Sequence, residues 1–331
     1  MKKDCYLYIA ILFVSLLLSG KISGQDSHLS QYYASNLILN PAMTGMFDAD
    51  YRAHLQYRSQ WNSILRTPFE TTNLAYDQPY NRFGFGAYLL NYRAGTGGVN
   101  FFNILASAAY EITYDPEKVH HLTTGLQLGL IHKSFNLSNL NFDNQYDTTY
   151  HDGWFNPALI SGENFEKTSF FLPDVNFGVY YHNERKNSTF NPYLGVSGFH
   201  LTQPKETYYG GENKFPLRVA VYGGTKIKIN EVFDVETNFL FMRQANNNEI
   251  QFGALCYYYL EGSDTKFFIG PYYRNKDAVI LHIGGTYGEY VFRISYDINV
   301  SSLSSVSRSR GGFELSVTYT KEKAKFIPSI Y

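Results

Sequence analysis

Phe292-Arg293-Ile294-Ser295-Tyr296-Asp297-Ile298-Asn299-Val300 alternates without a break between apolar and polar side chains. Successive residues of a strand point to opposite faces, so Phe292, Ile294, Tyr296, Ile298 and Val300 share one side, and Arg293, Ser295, Asp297 and Asn299 the other. A helix would scatter the same residues around its whole circumference. The pattern recurs upstream. Leu122, Leu126, Leu128 and Leu130 alternate with Thr123, Gly125, Gln127 and Gly129; Val175, Phe177, Val179 and Tyr181 oppose Asn176, Gly178, Tyr180 and His182; Leu217, Val219 and Val221 oppose Arg218, Ala220 and Tyr222. One apolar and one polar face is what a strand needs when lipid lies on one side and water on the other.

Extended along the chain, this reading gives about fourteen strands, each near the ten-residue length of a transmembrane β-span. They are placed near 51–58, 69–77, 82–93, 101–114, 119–133, 173–183, 190–201, 215–228, 232–243, 249–261, 264–273, 277–287, 290–300 and 311–320. Connection lengths sort by side. Gln78–Asn81, Asp115–Glu117, Asn183–Ser188, Asn230–Glu231, Gly262–Ser263 and Gly288–Glu289 are short, whereas 134–172, 202–214 and 301–310 are long and fall in the opposite set. Short periplasmic turns and long outer loops are the habit of outer-membrane barrels, and an even strand number puts both chain ends in the periplasm. The expected fold is all-β, a transmembrane antiparallel β-barrel of the outer-membrane type.

Composition agrees. Aromatic residues reach 18%, led by 30 Tyr and 26 Phe, with 27 Gly, and mean hydropathy is slightly negative. A soluble β-sandwich or propeller is the rival reading; aromatic girdles at two membrane interfaces account better for so many rings. After the N-terminal apolar run no second long apolar segment follows, which excludes a bundle of membrane-spanning helices. That first run, Tyr6–Leu18, is preceded by Lys2 and Lys3 and followed by Ser19, Gly20, Ser23 and Gly24, the layout of a cleavable export signal over 1–24. Cleavage would remove Lys2, Lys3, Lys21 and Asp4, taking basic residues from 28 to 25 and acidic ones from 29 to 28, a net charge of −3. No basic face for nucleic acid is implied. Only Cys256 would remain, so no intrachain disulfide is available. Residues 25–50 fit no strand and are expected to plug the lumen or lie beneath the barrel mouth. The barrel is expected over 51–320, and 321–331, containing Pro328, forms a tail beyond it.

The N-terminal part carries specific residues in a fixed order. Ser30-Gln31-Tyr32-Tyr33 precedes Asn40-Pro41-Ala42-Met43-Thr44-Gly45; Arg52, then Tyr57-Arg58-Ser59-Gln60-Trp61, then Asp77 follow. Gly195–Leu201, Tyr273-Arg274-Asn275, Ser295-Tyr296-Asp297 and Gly311–Ser316 continue the series. This resembles the PorP/SprF family of type IX secretion system membrane proteins over nearly the whole chain. The resemblance implies an outer-membrane protein of Gram-negative gliding bacteria that helps secrete or anchor large adhesins. Its implied partners are that cargo, periplasmic and outer-membrane components of the secretion machine, and outer-membrane lipid. Read physically, Asn40-Pro41-Ala42 with Gly45 makes a turn. Arg58, Gln60 and Trp61 are expected where the first strand meets the far interface, Trp61 in the aromatic belt. Arg293 and Asp297 share a polar face, which suggests an internal salt bridge.

A constellation for catalysis is absent from the motifs. Gly195-Val196-Ser197-Gly198 lacks the spacing of a nucleophile elbow and sits in a strand. His120 and His121 are adjacent, so their rings point to opposite faces and cannot share a metal. Asp143, Gln145 and Asp147 alternate oxygen side chains in the longest loop, but the glycine and terminal glutamate of an EF-hand are missing. Gly95, Gly97 and Gly98 precede a strand, not a helix, and make a turn rather than a phosphate cradle. The chain is thus expected to act by binding, without enzyme activity, cofactor or metal. The loop aromatics Tyr146, Tyr150, Trp154 and Phe155 are candidate partner contacts. The alternative function is a passive channel for small solutes or hydrophobic ligands.

Overall fold

The computed structural model describes residues 26–323, apart from 66, 96–97, 114–118, 137–139, 150–152, 166, 186–187, 208–210 and 303. The expected signal segment, most of the C-terminal tail and Tyr150 thus lie outside the described residues.

Fourteen antiparallel strands close into one barrel. They are β1 (Tyr51–Gln60), β2 (Phe69–Tyr80), β3 (Phe83–Ala94), β4 (Val99–Glu111), β5 (His120–Ser134), β8 (Ser169–Asn183), β9 (Phe190–Phe199), β10 (Arg218–Lys228), β11 (Phe233–Gln244), β12 (Asn247–Tyr259), β13 (Lys266–Arg274), β14 (Ala278–Tyr287), β15 (Tyr290–Asn299) and β16 (Arg310–Lys321). Each pairs with its sequence neighbours, and β16 returns to β1 in continuous register from Tyr51↔Lys321 to Gln60↔Gly312. Closure removes both sheet edges, which nothing in hydrocarbon could satisfy. All fourteen strands expected from alternation are present, with ends displaced by a few residues. The long loop between β5 and β8 adds a short ribbon of β6 (Tyr146–Asp147) and β7 (Trp154–Phe155).

Burial is inverted relative to a soluble protein. On β15, Ile294, Tyr296 and Ile298 are 47%, 42% and 43% exposed, whereas Ser295, Asp297 and Asn299 are 1%, 2% and 5% exposed. β1 does the same, with Leu55 and Tyr57 outside and His54, Gln56 and Arg58 inside. Water would penalise such an apolar exterior over fourteen strands; lipid does not. No helix among the described residues is long and apolar enough to cross a membrane. Rings cluster at both ends of the wall. Tyr51, Tyr76, Tyr290 and Tyr319 meet at centroid distances of 4.9–5.9 Å near the chain-terminal end. At the loop end Trp61 lies 4.7 Å from Phe69, which continues to Tyr92 and Phe101.

The polar lumen is occupied. Residues 26–50 run from the loop end, where Asp26 meets His200 and Arg218, to the chain-terminal end, where Asp50 N donates to Lys321 O. On the way the chain makes short helical turns at Tyr32–Ala34, Asn36–Leu39 and Pro41–Met43. Ser30, Gln31, Asn40, Ala42 and Thr44 have no solvent exposure. A segment in contact with wall strands on every side can only lie inside the cylinder.

Candidate functional site

Glycines and small polar side chains on the inner wall make room for this segment. A Cβ on Gly84 would stand 1.8 Å from Thr44 O, and one on Gly178 would stand 1.9 Å from Asn40 Oδ1. Asn40 is seated by three bonds: its Oδ1 accepts from Ala42 N at 2.8 Å, and its Nδ2 donates to Val179 O (3.0 Å) and Val196 O (3.2 Å). Pro41 then starts a helical turn at the position where a missing N–H costs nothing. Gln127 Nε2, Ser197 Oγ and Thr123 Oγ1 donate to the carbonyls of Leu37, Leu39 and Ala42 at 2.7–2.8 Å. Ser197 is therefore a wall residue bonded to the segment. Gly45 takes a positive φ of 65°, and its N–H donates to Asp77 Oδ2 at 2.8 Å. Asp77 is held in turn by Arg52, its register partner, through Nε (2.9 Å) and Nη2 (2.6 Å).

Above this lies a dry ionic cluster. Arg58 and Glu314 are register partners across the β1–β16 seam, and Arg58 Nη1 reaches Glu314 Oε2 at 2.8 Å. Arg58 Nη2 and Arg274 Nη2 converge on Asp297 Oδ2 at 2.8 and 2.6 Å. Ser30 Oγ donates to Asp297 and accepts from both guanidinium groups, while the amides of Ser30 and Gln31 donate to the two Glu314 oxygens at 2.8 Å each. Two buried cations meet two buried anions, Arg274 also reaches the partly exposed Asp277 at 3.3 Å, and the segment supplies the donors that complete the carboxylates.

Several sequence expectations change here. Arg58 is a lumen residue with no exposure and does not reach the far interface. The reason is parity: Arg52, His54, Gln56 and Arg58 share the inward face of β1. Arg293 and Asp297 do share the inner face, but no salt bridge joins them. Four residues along a strand span about 13 Å, and Arg293 Nη1 instead donates to Thr318 Oγ1 at 2.9 Å. Tyr57 faces outward and donates to Glu70. Gln60 ends β1, and Trp61 follows with a positive φ of 62°. Tyr32 is buried, and Tyr33 Oη lies 3.1 Å from His282 Nδ1. Arg274 and Glu314 carry no telling spacing of their own; cross-strand register alone brings them to the cluster.

Asp147 Oδ1 accepts from Thr149 N and Oγ1, and Gln145 Nε2 donates to Leu159 O, so these loop oxygens are engaged locally. In the same loop Tyr146, Trp154 and Phe155 are exposed, Trp154 by 63%. At the opposite end a cavity of about 480 Å³ opens beneath the segment, lined by Tyr32, Tyr33, Tyr180, Tyr193, Tyr222 and Glu236 and reaching the turn after β8.

The PorP/SprF model of type IX secretion system membrane proteins matches residues 22–319. The chain belongs to that family. Type IX secretion and an outer-membrane location follow for this PorP/SprF protein, in keeping with its lipid-facing barrel. No curated protein matches its sequence. Among solved structures it is similar to the Pseudomonas putida toluene transporter TodX, at 11% identity over 91% of this chain and 96% of that one, with a TM-score of 0.52. It is also similar to the CymD monoaromatic hydrocarbon channel, at 12% identity over 88% of this chain and 93% of that one, with a TM-score of 0.51. At such identities the likeness is one of fold.

Proposed function

We propose that this PorP/SprF protein is a docking barrel of the type IX secretion system that supports secretion or surface anchoring of large adhesin-like proteins. The observation that carries the reading is the filled lumen: the space a solute would use holds residues 26–50, bonded to the wall throughout their length. A cylinder packed in this way is a rigid mount, and its loops and turns are the surfaces left for partners. The exposed rings of Tyr146, Trp154 and Phe155 suit recognition of a secreted cargo, since aromatic side chains dominate binding hot spots. The periplasmic turns and the cavity above them face the components of the secretion machine.

The test is genetic and direct. Deleting the gene should strip a large adhesin from the cell surface, counted by quantitative surface proteomics, and plasmid-borne protein should restore it. Equal surface adhesin in the deletion strain refutes the proposal.

A further inference from the structure

His121 on β5 and His182 on β8 are register partners, and both belong to the inward-facing series of their strands. Their rings stack at a centroid distance of 4.6 Å and an interplanar angle of 10°. Glu184, two residues beyond His182, turns to the same side, and one donor atom from each of the three lies within 4.8 Å of the other two. Behind His121, Glu111 Oε1 sits 2.5 Å from its Nδ1. His182 Nδ1 is buried and has no hydrogen-bond partner. His182 and Glu184 also line the 480 Å³ cavity at its periplasmic rim.

We propose that His121, His182 and Glu184 form a binding site for a divalent transition-metal ion of the Zn²⁺ class. Two imidazoles with one carboxylate are a donor set that Zn²⁺ takes readily, with water in the fourth position. A carboxylate holding the far nitrogen of a ligating histidine fixes the tautomer that offers Nε2 to the ion, and Glu111 is placed for that task. Tetrahedral ligands at 2.0–2.1 Å from an ion stand roughly 3.4 Å apart. The three donors, within 4.8 Å of one another, therefore have up to about 1.4 Å to close, within reach of side-chain rotation at a partly open rim. The ion would clamp β5 to β8 at the foot of the hairpin that carries the longest loop, and its water-bearing position would face the cavity.

The experiment uses full-length protein in detergent, carrying a streptavidin-binding tag rather than a histidine tag, stripped with EDTA and titrated with ZnCl₂ by calorimetry at pH 7.5. One equivalent of Zn²⁺ should bind. His182→Ala and His121→Ala should each abolish the one-equivalent isotherm, and Glu111→Gln should weaken it by about 10–100-fold. His120→Ala, one residue away on the lipid face, should leave it unchanged. Heat-modifiable migration in gels reports that each variant is a folded barrel. Absence of binding to folded protein overturns the site, as does a one-equivalent isotherm that survives loss of both histidines.

Discussion

Arg58 reaches no solvent, and every partner it has is named by its position on another strand or in the luminal segment. Removing one member of a buried ionic group strands the charges left behind, at a cost of about 3–5 kcal/mol. Arg58→Ala should therefore lower the unfolding free energy by about that amount, read from urea titration of the folded band in detergent. A loss below about 1 kcal/mol would place the residue among ordinary exposed ion pairs instead. The alternation of His54, Gln56 and Arg58 with Leu55 and Tyr57 stands in the sequence, yet the sequence reading places Arg58 at the far interface and not in the lumen. Its partners are not legible there. Glu314 lies 256 residues away, and the pairing exists only once the seam has closed in register. The same holds for His121 and His182: adjacency in sequence correctly separates His120 from His121, while the true neighbour comes from across the sheet.

Strands and segment differ in what records them. A strand with lipid on one face writes its period into composition, so alternation alone located all fourteen. Residues 26–50 carry no period, because the wall meets them on every side, polar in places and apolar where Tyr32, Leu37 and Leu39 pack, and only the turn chemistry of Asn40-Pro41 and Gly45 shows locally. The upper end of this segment is pinned by charge. Asp26 Oδ2 lies 2.8 Å from His200 Nε2 and 3.0 Å from Arg218 Nη1, and Asp174 Oδ1 lies 3.0 Å from His200 Nδ1. Burial works against the imidazolium, but Asp26 and Asp174 outweigh it and lift the His200 pKa from 6.5 to about 9. Burial likewise opposes the Asp26 charge, and His200 with Arg218 still holds it far below the usual carboxylate range. A raised histidine stabilises fully below its unfolded value near 6.5 and loses that contribution as pH climbs through about 9. The Asp26 contribution is lost only in strong acid. Amides near residues 26–30 should thus exchange faster at pH 10 than at pH 7.5 after correction for intrinsic rates, and His200→Ala should show the faster behaviour at both. Identical protection at the two pH values in the unaltered protein would exclude the tether.

As a whole the molecule is a lipid-facing cylinder with its own chain in its bore. Two functions compete at this scale, docking and passage, and electrical measurement separates them. Purified protein in planar bilayers should give no steady open-channel current at neutral pH, because residues 26–50 occupy the lumen from end to end. A sustained conductance like that of a solute pore would return the passive channel to first place. The family motif that pointed to type IX secretion turns out to be spread along this interface of segment and wall: Ser30, Asn40, Gly45, Arg58 and Asp77 each bond across it, and Arg52 holds Asp77 from within the wall.

The seam between β1 and β16 joins the first strand in the sequence to the last, and Glu314 stands on it with both oxygens committed to the amides of Ser30 and Gln31. Arg58 and Gln56 reach the same carboxylate from β1, and its full set of donors forms once residues 30 and 31 are in position beside it. An empty cylinder would leave that anion only Arg58 and Gln56 as partners, so closing prematurely is the less favourable route. Completion of the ring thus doubles as an inspection step, a latch that holds best when the case has been loaded.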